Sequence, residues 1–199
     1  LGQDAKIIQV ESKPVLAPGR LGTFDDNGVL PSCALWVNEK IYLYYIGFKP
    51  GGTTRMDLFG GLAIAENENS QFQRVSEAPL LDRTSRNPFI NTAPWVVQSH
   101  GNGFYVYYVS GVEWVTPDLP RYNIQVGKSL DGRNIIRDGT VAVDFKDGEN
   151  ALARPFVIKD SDRYKMWFSA KGDQYSLKYA ESVDGIRSVS YTHHRAHET

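Results

Sequence analysis

Three stretches of this sequence repeat one another, and a chain built that way folds into copies of one small unit. The first copy runs Leu30-Pro31-Ser32-Cys33-Ala34-Leu35, then Ile41-Tyr42-Leu43-Tyr44-Tyr45-Ile46-Gly47, then Gly61-Leu62-Ala63-Ile64-Ala65. The second runs Ala93-Pro94-Trp95-Val96-Val97, then Phe104-Tyr105-Val106-Tyr107-Tyr108-Val109-Ser110, then Gln125 to Gly132. The third runs Arg154-Pro155-Phe156-Val157-Ile158, then Tyr164-Lys165-Met166-Trp167-Phe168-Ser169, then Lys178 to Gly185. Pro31 and Pro94 are 63 residues apart, Pro94 and Pro155 61, and Tyr42, Tyr105 and Tyr164 follow their prolines by 11, 11 and 9 residues.

Each copy reads as short β-branched and aromatic strands separated by turn residues. A fourth strand is expected at Val75–Leu81, matching Val10–Leu16 with the two prolines 65 residues apart. The stretch 62–78 reads as a hairpin turning at Glu66–Ser70, because its sisters carry Asp131-Gly132 and Asp184-Gly185 there. Four-stranded units in series cannot each bury both sheet faces, so they stack radially as a β-propeller. The fold class expected is all-β, about three four-stranded blades of a five-bladed propeller. One partial propeller domain covers 1–187, with blade ends near 22, 86 and 147. The stretch after Arg187 lacks the repeat, so 188–199 reads as a non-native, adaptor-like tail. It holds three of the four histidines, His193, His194 and His197.

Charge and composition exclude several functions. The formal net charge is −1, from 22 basic and 23 acidic residues, which gives no general electrostatic grip on nucleic acid. No apolar run approaches the roughly 18 residues of a membrane span. A single cysteine, Cys33, excludes an intrachain disulfide and a cysteine-rich zinc site. No glycine-rich loop stands between a strand and a helix, so nucleotide chemistry has no support. No metal-ligand spacing appears, and no cofactor is expected, with a channel Ca²⁺ left open. The chain starts at Leu1 without a signal segment, and the compartment is not legible.

In a propeller the inner strands line a central channel, and residues approaching them meet at its mouth. Asp25 lies 6 residues before Pro31, beside Asp26, and Glu149 lies 6 before Pro155. The middle unit has Pro88 there, beside Asn87, with Asp82, Arg83 and Arg86 upstream. Two carboxylates across a channel suit glycoside hydrolysis, one as acid and one as base or nucleophile. The same segments, Asp-Asp-Asn-Gly and Asp-Gly-Glu-Asn, are also ordinary solvated turns. Trp114 and Tyr122 sit in the insertion 112–122, too long for a tight hairpin, and offer rings for stacking on a sugar face. Packing of that loop onto its blade is the other reading of Trp114. Arg154 adds a donor for hydroxyls. Tyr44, Tyr45, Tyr107, Tyr108 and Trp167 recur in register and read as core.

Taken with Gly22-Thr23-Phe24-Asp25-Asp26-Asn27-Gly28-Val29-Leu30-Pro31-Ser32, Pro79-Leu80-Leu81-Asp82-Arg83, Tyr107-Tyr108-Val109-Ser110-Gly111 and Ala153-Arg154-Pro155, the chain resembles the five-bladed β-propeller glycosidase-like proteins. These are relatives of the glycoside hydrolase family 43, 32 and 130 clan, and the resemblance spans about residues 5–186. It implies an oligo- or polysaccharide substrate and a funnel site with acids from separate blades. Asp25 or Asp26 would match the acid of one blade, Glu149 the proton donor, and Asp82 or the Asn87 position the middle acid. Asn87 where an aspartate often stands is a departure. Cleavage or transfer of a glycosidic bond is the first expectation. A non-catalytic saccharide-binding or scaffold propeller is the second, and a phosphorylase using Arg83, Arg86 and Arg154 the third.

Overall fold

A computed structural model describes residues 12–191. Among them there are strands and turns and no helix. The first blade is β1 (Gly28–Val37), β2 (Lys40–Pro50), β3 (Met56–Ala65) and β4 (Gln73–Arg74). The second is β5 (Asn91–Gln98), β6 (Phe104–Thr116), β7 (Leu119–Ser129) and β8 (Val141–Val143). The third is β9 (Ala151–Asp160), β10 (Arg163–Lys171), β11 (Tyr175–Ser182) and β12 (Val189–Tyr191). Each is an antiparallel meander, and a single parallel pair joins each blade to the next, Phe59 with Asn91 and Tyr122 with Ala151. The fold is therefore all-β, three blades of a β-propeller, with β1, β5 and β9 as inner strands against one another.

Turn chemistry sets the hairpins. Asn38 and Glu39 both have positive φ, 47° and 63°, the backbone a two-residue turn needs to match strand twist. The turn expected at Glu66–Ser70 is present, with Ile64 paired to Gln73 across it. At Ser129–Gly132 the Asp131 Oδ1 accepts the N–H groups of Arg133 and Asn134, and Ser129 Oγ accepts that of Gly132. Ser182–Gly185 repeats the arrangement, with Asp184 accepting from Ile186 and Arg187.

Those turns also lock the blades together. Tyr44 on β2 donates its hydroxyl to the Gly132 carbonyl at 2.9 Å, and Tyr107 on β6 does the same to Gly185 at 2.6 Å. A Cβ on Gly132 would lie 2.5 Å from the Tyr44 hydroxyl, so only glycine fits. Trp95 Nε1 donates to Val157 O at 2.7 Å, and the Cys33 thiol packs at the first blade boundary toward Val96 O. The core lies in these boundaries: Cys33, Tyr44, Leu62 and Val106 in one, Tyr107, Ile124, Leu152 and Met166 in the other.

Several elements differ from the sequence reading. Val75–Leu81 is not the fourth strand; the shorter Gln73–Arg74 takes that place, and the two ends of the stretch bond back to β3, Val75 N–H to Leu62 O and Leu81 N–H to Gly60 O. Pro79 lacks the N–H a paired strand needs. The 112–122 insertion is a tight hairpin, not a loop. Cross-strand pairing extends β6 and β7 outward to a Pro117-Asp118 turn, with Thr116 opposite Leu119 and two bulges on the way.

The third blade is shifted in register against the sequence alignment. Ser129 pairs with Phe104, and Ser182 with Tyr164, so Tyr107 corresponds to Trp167 rather than Met166. A one-residue slip moves a side chain to the opposite face. Met166 therefore packs toward the second blade, while Trp167 stands half-buried on the far face. It lies between Phe156 and Tyr179, near Leu177, which is 72% exposed. The four tyrosines 44, 45, 107 and 108 are buried as expected. Val189–Tyr191, within the stretch read as a foreign tail, pairs with β11 where a fourth strand belongs. Residues 1–11 and 192–199, with the tail histidines, lie outside the described residues.

Candidate functional site

The loops leading into β1, β5 and β9 share one end of the blades with the β2–β3, β6–β7 and β10–β11 turns. The register requires it, because Gly28 opens β1 opposite Phe48, which faces Leu58 at the start of β3. Neighbouring turns touch there, Arg55 N donating to Pro117 O at 2.8 Å. All the sequence-predicted site residues fall on this end, in three different situations.

Asp25, Asn87 and Glu149 are held inside their own blades. Asp25 is fully buried. Its Oδ2 accepts from Arg74 Nε at 2.8 Å and from the Tyr45 hydroxyl at 3.1 Å, and its Oδ1 from Thr23 at 2.9 Å. Gly47 leaves the room, since a Cβ there would meet the Phe24 ring and Asp25 itself. Asn87 repeats the pattern without charge. Thr84 donates to its Oδ1, and its Nδ2 donates to Ser110 Oγ at 2.9 Å and Gln125 Oε1 at 2.8 Å. The Tyr108 hydroxyl closes that network on Gln125 at 3.1 Å. Glu149 Oε1 pairs with the Lys178 ammonium, and Oε2 accepts the Lys146 N–H at 2.9 Å. One polar residue in each approach loop, six before the proline in the first and third blades and seven before it in the second, thus ties that loop to its own sheet. Asn87 is the neutral version, which accounts for the missing third carboxylate.

Asp26, Asp82, Arg83 and Arg86 lie at the rim. Asp26 accepts from the Asn27 amide and the Gly22 N–H, each at 2.8 Å, with Lys49 at 3.8 Å. The Asn27 amide, then the Gly22 N–H, hold its carboxyl below the usual range. Asp82 is exposed; its carboxylate accepts the next N–H, and its carbonyl accepts Arg137. Arg83 pairs with Asp57 at 2.6 Å and lies over the Phe59 ring. Arg86 donates to Asp138 O.

Arg154 and Tyr122 meet at the hub, with Trp114 half-buried on the projecting hairpin beyond them. Each inner strand bulges at its proline. Ala93 and Arg154, the residues before Pro94 and Pro155, have φ of 49° and 55°, costly for non-glycine residues and a backbone seen where a site demands it. The bulge carries the Arg154 side chain across the hub, from the third blade to the first, where NH1 donates to Pro31 O at 3.2 Å. Between them is a cleft of about 150 Å³, lined also by Ile46, Leu58, Thr92, Ala93 and Val109. Thr92 Oγ1 is buried there without a hydrogen-bond partner among the described residues. Burial, then Tyr175, pushes the Tyr122 phenol up.

Sequence reasoning missed this cleft's floor, although the thrice-repeated X-Pro of the inner strands pointed to it. It also missed Arg74 and Lys178, the cations of Asp25 and Glu149, which no local pattern marks. Among the described residues no group of three or more His, Cys, Asp or Glu is placed to hold a metal ion. No helix there is long and apolar enough to cross a membrane.

No family model matches the chain. An uncharacterised protein of Mycobacterium tuberculosis, Rv1502, is 33% identical over 189 residues, 94% of this chain and 62% of its own length. The chain thus spans about three-fifths of the curated relatives it matches. Among solved structures, a glycoside hydrolase superposes with TM-score 0.68 at 18% identity, over 88% of this chain and 58% of that one. A family 32 β-fructofuranosidase of Bombyx mori gives 0.63 at 15%, over 79% and 35%. An endo-arabinase of Bacteroides thetaiotaomicron gives 0.60 at 11%, over 79% and 58%. The blades of this chain have the fold of the β-propeller glycoside hydrolases.

Proposed function

We propose that this chain supplies the saccharide-binding wall of a glycoside hydrolase-like propeller, gripping an oligo- or polysaccharide at the hub. The observation that carries the reading is the Arg154 side chain reaching from β9 to Pro31 on β1, which gathers three inner-strand bulges around one cleft. Sugar rings present an apolar C–H face and a rim of hydroxyls. Tyr122, Ile46 and Val109 suit the first, and Arg154 and Thr92 suit the second. Trp114 on the outer hairpin extends the platform along a longer chain.

Glycosidic bond cleavage, with Glu149 as acid and Asp25 or Asp26 as base, is the second reading, favoured by the fold. A catalytic carboxylate must reach its substrate. Asp25 has donors on both oxygens and no exposed surface, and Glu149 carries the Lys178 ammonium on Oε1. Both arrangements support anchoring. Asp26 is likewise engaged, by the Asn27 amide on one oxygen and the Gly22 N–H on the other.

Retardation in native gels containing soluble polysaccharides tests the first reading. At least one polysaccharide slows the chain, and Tyr122→Ala weakens that binding about tenfold or more. A broad polysaccharide set without retardation overturns it. Turnover of aryl glycosides that disappears in Glu149→Gln and Asp26→Asn, with the fold unchanged, would establish the second.

A further inference from the structure

We infer that the hub cleft selects a saccharide carrying an anionic substituent, a carboxylate or a sulfate or phosphate ester, over its neutral counterpart. The inference rests on the saccharide-binding reading and adds the ligand's charge. Four acids on this end of the blades have a cation partner: Asp25 has Arg74, Asp57 has Arg83, Glu113 has Arg121 and Glu149 has Lys178. Asp26 has Lys49 at 3.8 Å. Among the described residues no carboxylate lines the cleft, and its one charged group is Arg154.

Arg154 is not matched. Among the described residues no carboxylate oxygen lies within 4.0 Å of it, and one N–H goes to Pro31 O. The rest of its planar fork is available to a two-oxygen acceptor. Thr92 is nine-tenths buried, and among the described residues its hydroxyl has no hydrogen-bond partner, which leaves a donor unsatisfied beside the cleft. The Tyr122 phenol, pushed up by burial, keeps its proton and donates as well. Three donors, one of them cationic, over an aliphatic floor of Ile46, Leu58 and Val109 match an oxyanion set on a sugar ring. Arg154 is exposed, so with a neutral sugar its charge is left to water, whereas an oxyanion on the sugar pairs with it.

Titration calorimetry on the 199-residue chain tests this with methyl glucuronide, methyl galacturonide, glucose 6-sulfate, glucose 6-phosphate and the neutral methyl glucoside and galactoside. At least one anionic sugar is expected to bind about tenfold tighter than its neutral counterpart. Arg154→Gln should erase that preference, with neutral binding weakened less than anionic binding, and Thr92→Val should weaken the anionic sugar more than the neutral one. The arm that binds identifies carboxylate or ester as the source. Equal binding of neutral and anionic sugars, or a preference that survives Arg154→Gln, overturns the inference and leaves the saccharide reading standing. Failure of every sugar to bind overturns the inference, while retardation by polysaccharides decides the saccharide reading separately.

Discussion

Asp131 shows what a single side chain does in this molecule. Its carboxylate accepts the Asn134 and Arg133 N–H groups in a turn whose glycine carbonyl receives the Tyr44 hydroxyl. Those N–H groups hold its carboxyl well below the usual range. Asp184 feels burial, which raises its carboxyl, but the Arg187 and Ile186 N–H groups outweigh that and leave it lowered. A carboxyl depressed in the folded state contributes stability above its unfolded pKa of about 4, lost as pH falls below that. The melting temperature should therefore drop from about pH 4 downward, and the Asp131→Asn, Asp184→Asn pair should flatten that drop. An unchanged pH slope in the pair would refute the assignment. Glycine substitutions separate backbone from packing. Gly148 has φ 81° with nothing near a Cβ, so Gly148→Ala should cost about 1 kcal/mol. Gly132→Ala, with the Tyr44 hydroxyl in the way, should cost about 1–3 kcal/mol more in urea melts.

Hairpins here do more than connect. The β6–β7 hairpin carries Trp114 outward and meets the β2–β3 turn through Arg55 and Pro117. The approach loops are held by one buried polar group per blade. Asp25→Ala would leave Arg74 and the Tyr45 hydroxyl facing an empty site, and breaking a buried pair costs about 3–5 kcal/mol. Chemical denaturation should show that loss, with Asn87→Ala milder because no charge is stranded. Equal losses would contradict the anchoring account. The repeat and its strands were readable from β-branched and aromatic runs. The brevity of β4 and the continuation of β6 past Gly111 were not, because edge pairing and strand extension depend on what lies alongside.

At the scale of the whole molecule, stability passes from blade to blade through a few specific contacts. Trp95 spans the second boundary, its ring 4.6 Å from that of Phe156 and its N–H on Val157 O. Trp95→Ala should loosen the third blade before the first. Hydrogen exchange should then rise across β9 to β11 while β1 to β3 stay protected; uniform exposure would mean the blades unfold as one. Beyond that blade, Phe156 and Leu177 present apolar surface on the face that corresponds to covered faces in the first two blades.

Repetition, turn chemistry and strand composition, all local properties, were enough to determine an all-β chain of blades and the end of it where approach loops gather. Charge pairing was not local. Asp25 and Glu149 look like twin acids in sequence, yet Arg74 lies 49 residues from the first and Lys178 29 from the second. Only folding brings those cations in and turns the acids into anchors. The same is true of Arg154, whose partner is 123 residues away on another blade. A side chain's role at a hub depends on which strands meet there, and only the folded chain decides that.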